Sequence, residues 1–404
     1  MPSYIYRAKS ELGKPIKGIL EGQTKQEVVT KLQNMGYIVT QIGETSPGID
    51  LEDIGERFRF ITAEDIIMFN IQLANMINAG LTLLASLKIL ENQVENRKLK
   101  DIVGDVSRSI EAGSLFSEAL SRHPRVFSKL FVSMVRAGEA SGNLALVLDR
   151  FAQFSEEQQE LRQKIKGALF YPAILFSFGV LVIIFIVTYV MPNFVVIFQK
   201  AGVKLPLPTQ ILYALGIGIK RFWYLAILGI GLIIVGFKAY LKNESNRLRF
   251  DQFKLNLYLF GPLLRKASIS RFCRTLATLV ASAVPILESL DIAKEVMNNE
   301  VISQVVAKTR KAVEEGESIS GSLKISEEFP QDSVQMIAVA EQTGDLPTML
   351  NKIADFYDRA LTYQIKKLTA VIEPLFLVIM GALVAFIMAS MMLPIFDMVK
   401  VLRR

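Results

Sequence analysis

The chain has 404 residues, 51% of them apolar and 21% charged, with a formal net charge of +7 and a mean hydropathy of +0.35. It is too apolar for a disordered chain and too charged to consist wholly of membrane spans. The expectation is a water-exposed body with a few lipid-facing segments and, at roughly 150 residues per domain, two or three domains. One cysteine (Cys273) and one histidine (His123) exclude an intramolecular disulfide, a Cys/His zinc site and an H-E-x-x-H protease. No G-x-x-x-x-G-K-[ST] occurs, so ATP-driven work would need another chain.

Met1-Pro2-Ser3-Tyr4-Ile5-Tyr6-Arg7 has no apolar run of the signal-peptide kind after it. Residues 1–43 predict a small αβ module. Segments 4–8 and 16–21 read as strands around the turn Leu12-Gly13-Lys14-Pro15. Thr24-Lys25-Gln26-Glu27 has capping-box spacing and opens a helix that ends near Gly36, and 39–42 reads as a third strand. Residues 44–62, with Ser46-Pro47-Gly48, form a linker.

Residues 63–172 predict a cytoplasmic helical domain. Ile66, Phe69, Leu73, Met76 and Ile77 recur at spacings of three and four, one face of a helix that Ala79-Gly80 ends. Leu83, Leu84, Leu87 and Leu90 line the next helix, and Gly104, Gly113, Pro124 and Gly142 divide the rest into a bundle of five or six. The last helix, from Leu144, leads toward the membrane, where Pro172 predicts a kink or short break.

Residues 173–191 and 375–396 carry no charge, and each is long enough to cross about 30 Å of hydrocarbon. The uncharged segment 222–237 is shorter. It spans if Arg221 and Lys238 snorkel and Trp223 and Tyr224 sit at an interface; a buried core helix is the alternative. Arg150, Arg162, Lys164 and Lys166 precede the first span, and Lys238, Lys242, Arg247, Arg249 and Lys254 follow the second. The positive-inside rule then puts the N-terminal body and residues 238–373 in the cytoplasm. This predicts a loop at 192–220 outside, a span at 221–241, a connector at 242–265, a second cytoplasmic domain at 266–373, a third span at 374–396 and an outer tail at 397–404.

The chain repeats itself. Phe69-Asn70-Ile71-Gln72-Leu73-Ala74 aligns with Phe272-Cys273-Arg274-Thr275-Leu276-Ala277 at an offset of 203, which falls to 202 after Gly113. Phe127, Met134, Leu148, Phe154 and Lys164 then match Phe329, Met336, Leu350, Phe356 and Lys366. Pro172 matches Pro374 at the head of a span, and Pro192 matches Pro394 at its far end. Each unit is a helical domain followed by a membrane helix.

No catalytic constellation, cofactor motif or metal motif is present, and no Asp or Glu lies within the expected spans, which argues against an intramembrane protease and an ion-coupled transporter. Cys273 reads as a packing residue and His123 as a loop residue. The runs Arg97-Lys98-Leu99-Lys100 and Lys308-Thr309-Arg310-Lys311 read as solvated faces, with an acidic partner or anionic lipid as the sharper option; they lack the aromatics of a nucleic-acid site. The most informative motif is E-x-[ST]-G-[ND]-L, which occurs twice. Gly142 and Gly344 suit the left-handed residue that ends a helix; Asn143 and Asp345 suit the next N-cap, and Leu144 and Leu346 begin the new apolar face. Glu139 and Glu341 oppose the macrodipole where they stand. They predict either an internal salt bridge or hydrogen bond, or a contact to a partner or second subunit, with a bound cation as one form of it.

With two such domains, each followed by a proline-led span, the chain resembles the inner-membrane platform proteins of type II secretion and type IV pilus assembly. Tyr4-Ile5-Tyr6-Arg7-Ala8 with Gly13-Lys14 and Gly18, and the loop Leu205-Pro206-Leu207-Pro208-Thr209, are similar to that family too. The resemblance implies a non-enzymatic, at least dimeric protein of the bacterial inner membrane. Its implied partners are a cytoplasmic hexameric ATPase, prepilin or pseudopilin subunits, inner-membrane alignment proteins and membrane lipid, with no nucleic acid and no cofactor. Met380, Met388, Met391 and Met392 would offer an adaptable surface to apolar helices or pack in the ordinary way.

Overall fold

The structure is a computed structural model that describes residues 3–9, 15–21, 24–45, 60–200 and 205–402. Strands β1 (Ser3–Lys9), β2 (Pro15–Glu21) and β3 (Ile38–Thr45) form an antiparallel sheet in the order β2-β1-β3, with an irregularity at Arg7/Ala8 of β1. Helix α1 (Lys25–Asn34) lays Val28 and Leu32 against Tyr4 of the sheet, and Thr24 caps it by accepting from the Glu27 N–H. β3 continues past the point where the linker was expected, because Gly43, Glu44 and Thr45 pair with Ile5, Tyr4 and Ser3. Residues 12–14 of the expected turn, and 46–59 of the expected linker, lie outside the described residues.

The first helical unit contains α2 (Ala63–Asn78), α3 (Leu83–Gln93), α4 (Arg97–Glu111), α5 (Phe116–Ser121), α6 (Lys129–Ser141) and α7 (Leu144–Phe185). Caps set its register. Thr62 and Asp65 form a capping box at α2, and the Asn96 side chain accepts from the Lys98 and Leu99 N–H groups at α4. The core is built on phenylalanine: Phe127 and Phe131 rings lie 5.9 Å apart, and Phe131 and Phe151 rings 4.5 Å apart. Such pairs add to the stabilisation from burial alone.

The second unit is larger than the sequence suggested. It has α10 (Glu244–Asn256), α11 (Gly261–Ala281), α12 (Ile286–Glu295), α13 (Glu300–Glu314), α14 (Ile319–Lys324), α15 (Gln331–Thr343) and α16 (Leu346–Leu402). The expected connector, 242–265, is therefore mostly helix. Leu255 of α10 is part of the second core, and Asp251 accepts from the Glu300 N–H (2.8 Å) at the start of α13. The two cores are not separate either, because Leu279, Val284 and Ile292 of the second repeat pack into the first.

Neither Pro172 nor Pro374 interrupts its helix. α7 departs from α geometry only beyond the proline, in a π-helical stretch (Ile186–Val190) that leads into α8 (Met191–Lys200). Most of the expected outer loop is also helical, since α9 runs from Leu207 to Tyr240 with Pro208 in its first turn. Among the described residues two helices, Leu144–Lys200 and Leu346–Phe396, are long and apolar enough to cross a membrane; a third crossing is present if Leu207–Leu225 and Ile227–Tyr240, bent by 54°, are one span.

Candidate functional site: the joint between the repeats

The duplicated motif builds the same corner twice. α6 and α15 each end on a glycine in the left-handed region, Gly142 at φ 71° and Gly344 at φ 74°, where a side chain would be strained. From the last turn of α6 the Glu139 carboxylate accepts the Phe116 N–H (2.6 Å) and the Ser117 N–H (3.1 Å). Glu341 accepts the Ile319 N–H (2.5 Å), the Ser320 N–H (3.1 Å) and the Ser320 hydroxyl. Each carboxylate thus takes the first N–H groups of a short helix, where anionic oxygen is favoured; at α14 it joins the Ser318 hydroxyl, which accepts from the Gly321 N–H (3.0 Å), while α5 has no other side-chain cap. Glu139 and Glu341 make internal hydrogen bonds, with both oxygens of each engaged. The Asn143 side chain does not cap α7; its amide donates back to the Ser141 carbonyl (3.3 Å). Asp345 does cap, accepting from the Thr348 N–H at 3.4 Å. Leu144 packs against the first core and Leu346 against the second.

The residues that join the repeats were not singled out from the sequence. Arg274 of α11 is only 6% exposed. Its guanidinium reaches Glu157 of α7 (3.0 Å) and Asp355 and Asp358 of α16 (both 2.8 Å), and Ser270 donates to Asp358. Burial opposes its charge, but the hydrogen bonds to Asp358 and Asp355 and the charge of Glu157 outweigh burial and hold it above an ordinary arginine. Burial raises the Glu157 carboxyl, Arg274 pulls it down, and Asp355, Asp358 and Glu160 push it up again. Two acids from one repeat and one from the other therefore share a single buried cation. A signal was there to read: the aligned residue in the first repeat is Ile71, and an arginine on a buried helix face needs partners.

Below this cluster α7 and α16 descend side by side. The Tyr171 hydroxyl donates to Glu373 (3.3 Å), and the rings of Phe176 and Phe376 lie 5.9 Å apart. Pro172 and Pro374 thus lie within a helix pair rather than at a break. Met380 lies against Gly179, Met391 packs on a small cluster formed by Val187, Met191, Val195, Leu212 and Ile387, and Met388 and Met392 are exposed. The Thr209 hydroxyl donates to the Ser390 carbonyl (2.5 Å) and ties α9 to α16.

Other singled-out residues are structural. His123 lies in the loop between α5 and α6, as expected, with its Nε2 2.9 Å from Asp105. Cys273 is fully buried, and burial pushes its thiol up, away from the reactive thiolate. In the basic runs Leu99 and Thr309 are buried, Lys98 lies over the Phe60 ring, and Arg310 pairs with Asp291 (2.9 Å) and Glu314 (2.6 Å).

Comparison with known proteins agrees with this architecture. The family model described as type II secretion system (T2SS), protein F matches residues 69–192 and again 272–394, one match per repeat. The model for the N-terminal domain of the same family matches residues 1–43. The chain is 39% identical to type IV pilus assembly protein PilC of Thermus thermophilus, over 100% of this chain and 99% of that one. It is 34% identical to the PilC of Myxococcus xanthus, over 98% and 94%. It is 30% identical to type II secretion system protein F of Vibrio cholerae, over 100% of both.

Proposed function

The chain belongs to the type II secretion system protein F family, and from that premise we propose that it is the inner-membrane platform of a pilus or secretion machine. In this reading the N-terminal module and both helical units face the cytoplasm, and three helices cross the membrane, the bent α9 being one of them. A hexameric ATPase docks on the cytoplasmic units and displaces them. The spans pass that displacement to pilin or pseudopilin subunits leaving the bilayer, and the chain itself catalyses nothing. Inner-membrane alignment proteins and at least one further copy of the chain complete the assembly.

The observation that carries this reading is the continuity of α7 and α16. Each begins in a cytoplasmic core, with Phe151 of α7 and Leu350 and Ile353 of α16 buried there, and runs without interruption into an apolar, exposed segment. A helix is stiff along its axis, so movement of its cytoplasmic end reaches the membrane end. The test is insertion of Gly-Gly between Gly167 and Ala168. The expected result is normal membrane insertion and normal co-purification with the ATPase, but no fibre assembly or secretion. Fibre assembly at the unmodified level would overturn the coupling role. A retraction-ATPase gene beside this one would place the machine in the pilus branch; a secretin gene with minor pseudopilins and no retraction ATPase would place it in the secretion branch.

A further inference from the structure

The first repeat has a pocket that the second has filled. It is about 570 Å³ and lies between α2, α6 and α7, with Ile66, Ile67, Phe151 and Phe154 among its apolar walls. In the aligned place of the second repeat stand Tyr357 and Leu361, 3% and 2% exposed, where the first repeat has Ser155 and Gln159. The Tyr357 hydroxyl donates to Asp332 (3.0 Å), so that plug is held in place. Serine in place of tyrosine leaves the corresponding volume of the first repeat open, and the Gln159 amide donates to Glu64 (2.9 Å). Asn70, aligned with Cys273, also lines the pocket, and its amide oxygen is buried without a partner.

The charged part of the lining has one sign. Arg162 and Lys166 of α7 and Arg271 of α11 line the pocket, and no Asp or Glu does. Arg271 is held there by donating to the Val296 carbonyl (3.4 Å). Burial and then the nearby Arg162 charge lower its pKa, so this guanidinium is desolvated beside a like charge. Guanidinium pairs of this kind suit phosphate, which they can bind in a bidentate manner. The charged side also faces the membrane. Lys166 is the last charged residue before a stretch that stays uncharged to residue 199, and Arg162 lies one helical turn above it. Apolar walls lie farther up the same helix, at Phe151 and Phe154.

We infer that this pocket binds an acidic phospholipid of the adjoining leaflet. The phosphate lies between Arg162, Lys166 and Arg271 at the surface, one acyl chain stays in the leaflet, and the other turns up out of the bilayer along Phe154, Phe151, Ile67 and Ile66. Pocket size is within the range of small-ligand sites. Because Arg271 comes from the second repeat, the bound lipid bridges the two units at the membrane surface.

The test uses the full chain purified in neutral detergent and reconstituted in phosphatidylcholine nanodiscs containing a minor fraction of phosphatidylglycerol. After delipidation, native mass spectrometry reads retained lipid, and a diazirine-bearing phosphatidylglycerol maps the site. The expected result is one retained phosphatidylglycerol, cross-linked to α2 and α7. Retention should fall about tenfold or more in Arg162→Gln/Arg271→Gln, from the loss of charge-assisted hydrogen bonds, and likewise in Ser155→Tyr, which restores the plug. Lys366→Gln, outside this pocket, should retain it fully. Arg162 is exposed, so Arg162→Gln alone decides the matter if a core variant does not fold. Retention unchanged across the variants, equal retention of phosphatidylcholine, or binding of oleate in place of the phospholipid would overturn the inference.

Discussion

The two glutamates of the repeated motif act as remote helix caps. Removing one leaves two backbone N–H groups at a helix start without their acceptor, a loss on the order of 1–3 kcal/mol. Glu139→Ala and Glu341→Ala are therefore expected to lower the midpoint of thermal unfolding in detergent, and Glu→Gln at either position to lower it less. Glu139→Lys and Glu341→Lys should be worse than either, since a cation would face the positive end of a helix. Arg274 raises the stakes further. Arg274→Met leaves Asp358 without its cation, while Glu157 and Asp355 are half-exposed and stay solvated. The cost should therefore fall below the roughly 3–5 kcal/mol of breaking a fully buried pair. Glu157 behaves in the opposite sense. Its pKa is raised in the fold, chiefly by burial, so the stability it contributes is full below the unfolded value and is lost as pH rises through the folded one. Glu157→Gln mimics the protonated state. It should match or exceed the unmodified protein at neutral pH and lose that advantage below about pH 4, as read from unfolding midpoints across pH.

At the scale of elements, the prolines were the least faithful guides. Proline inside a helix removes one hydrogen bond and crowds the preceding turn, at about 3 kcal/mol in an isolated helix. α7 and α16 nonetheless continue through Pro172 and Pro374, because side-by-side packing, with Tyr171 on Glu373 and Phe176 near Phe376, supports both helices on either side. Pro172→Ala should therefore leave insertion and topology unchanged and raise the unfolding midpoint. If the proline were instead a required break, the same substitution would abolish fibre assembly while leaving folding intact. The helices also extend beyond the expected spans, for a related reason. Charge-free length finds the part of a helix that lipid can surround, but it does not find helix ends. α9 is 34 residues long, with Lys220 and Arg221 near its middle.

For the whole molecule, what matters is how the repeats are joined. Lys129 and Glu295 form an exposed ion pair across the two repeats at 2.8 Å, and such pairs contribute under about 1 kcal/mol. Leu279, by contrast, belongs to the second repeat but is buried in the first core. Lys129→Ala should barely move the unfolding midpoint. Leu279→Ala should cost about 2–5 kcal/mol and raise hydrogen exchange in α6 and α7 of the other repeat. A first repeat expressed alone would lack Leu279, Val284 and Ile292 and is expected to be less stable than it is within the chain.

The sequence by itself determined the periodic signals: two helical units, their alignment at offsets of 203 and 202, the left-handed glycines and the apolar stretches. These are local properties, written in spacing and composition. The tertiary structure decided which groups meet. Arg274 against Glu157, Asp355 and Asp358, Glu139 against the start of α5, and the core shared between repeats join residues from about 20 to 200 positions apart in the chain. Periodicity says that a face is buried, but not against what. A buried charge takes its partner from whichever helix the packing brings within hydrogen-bond reach.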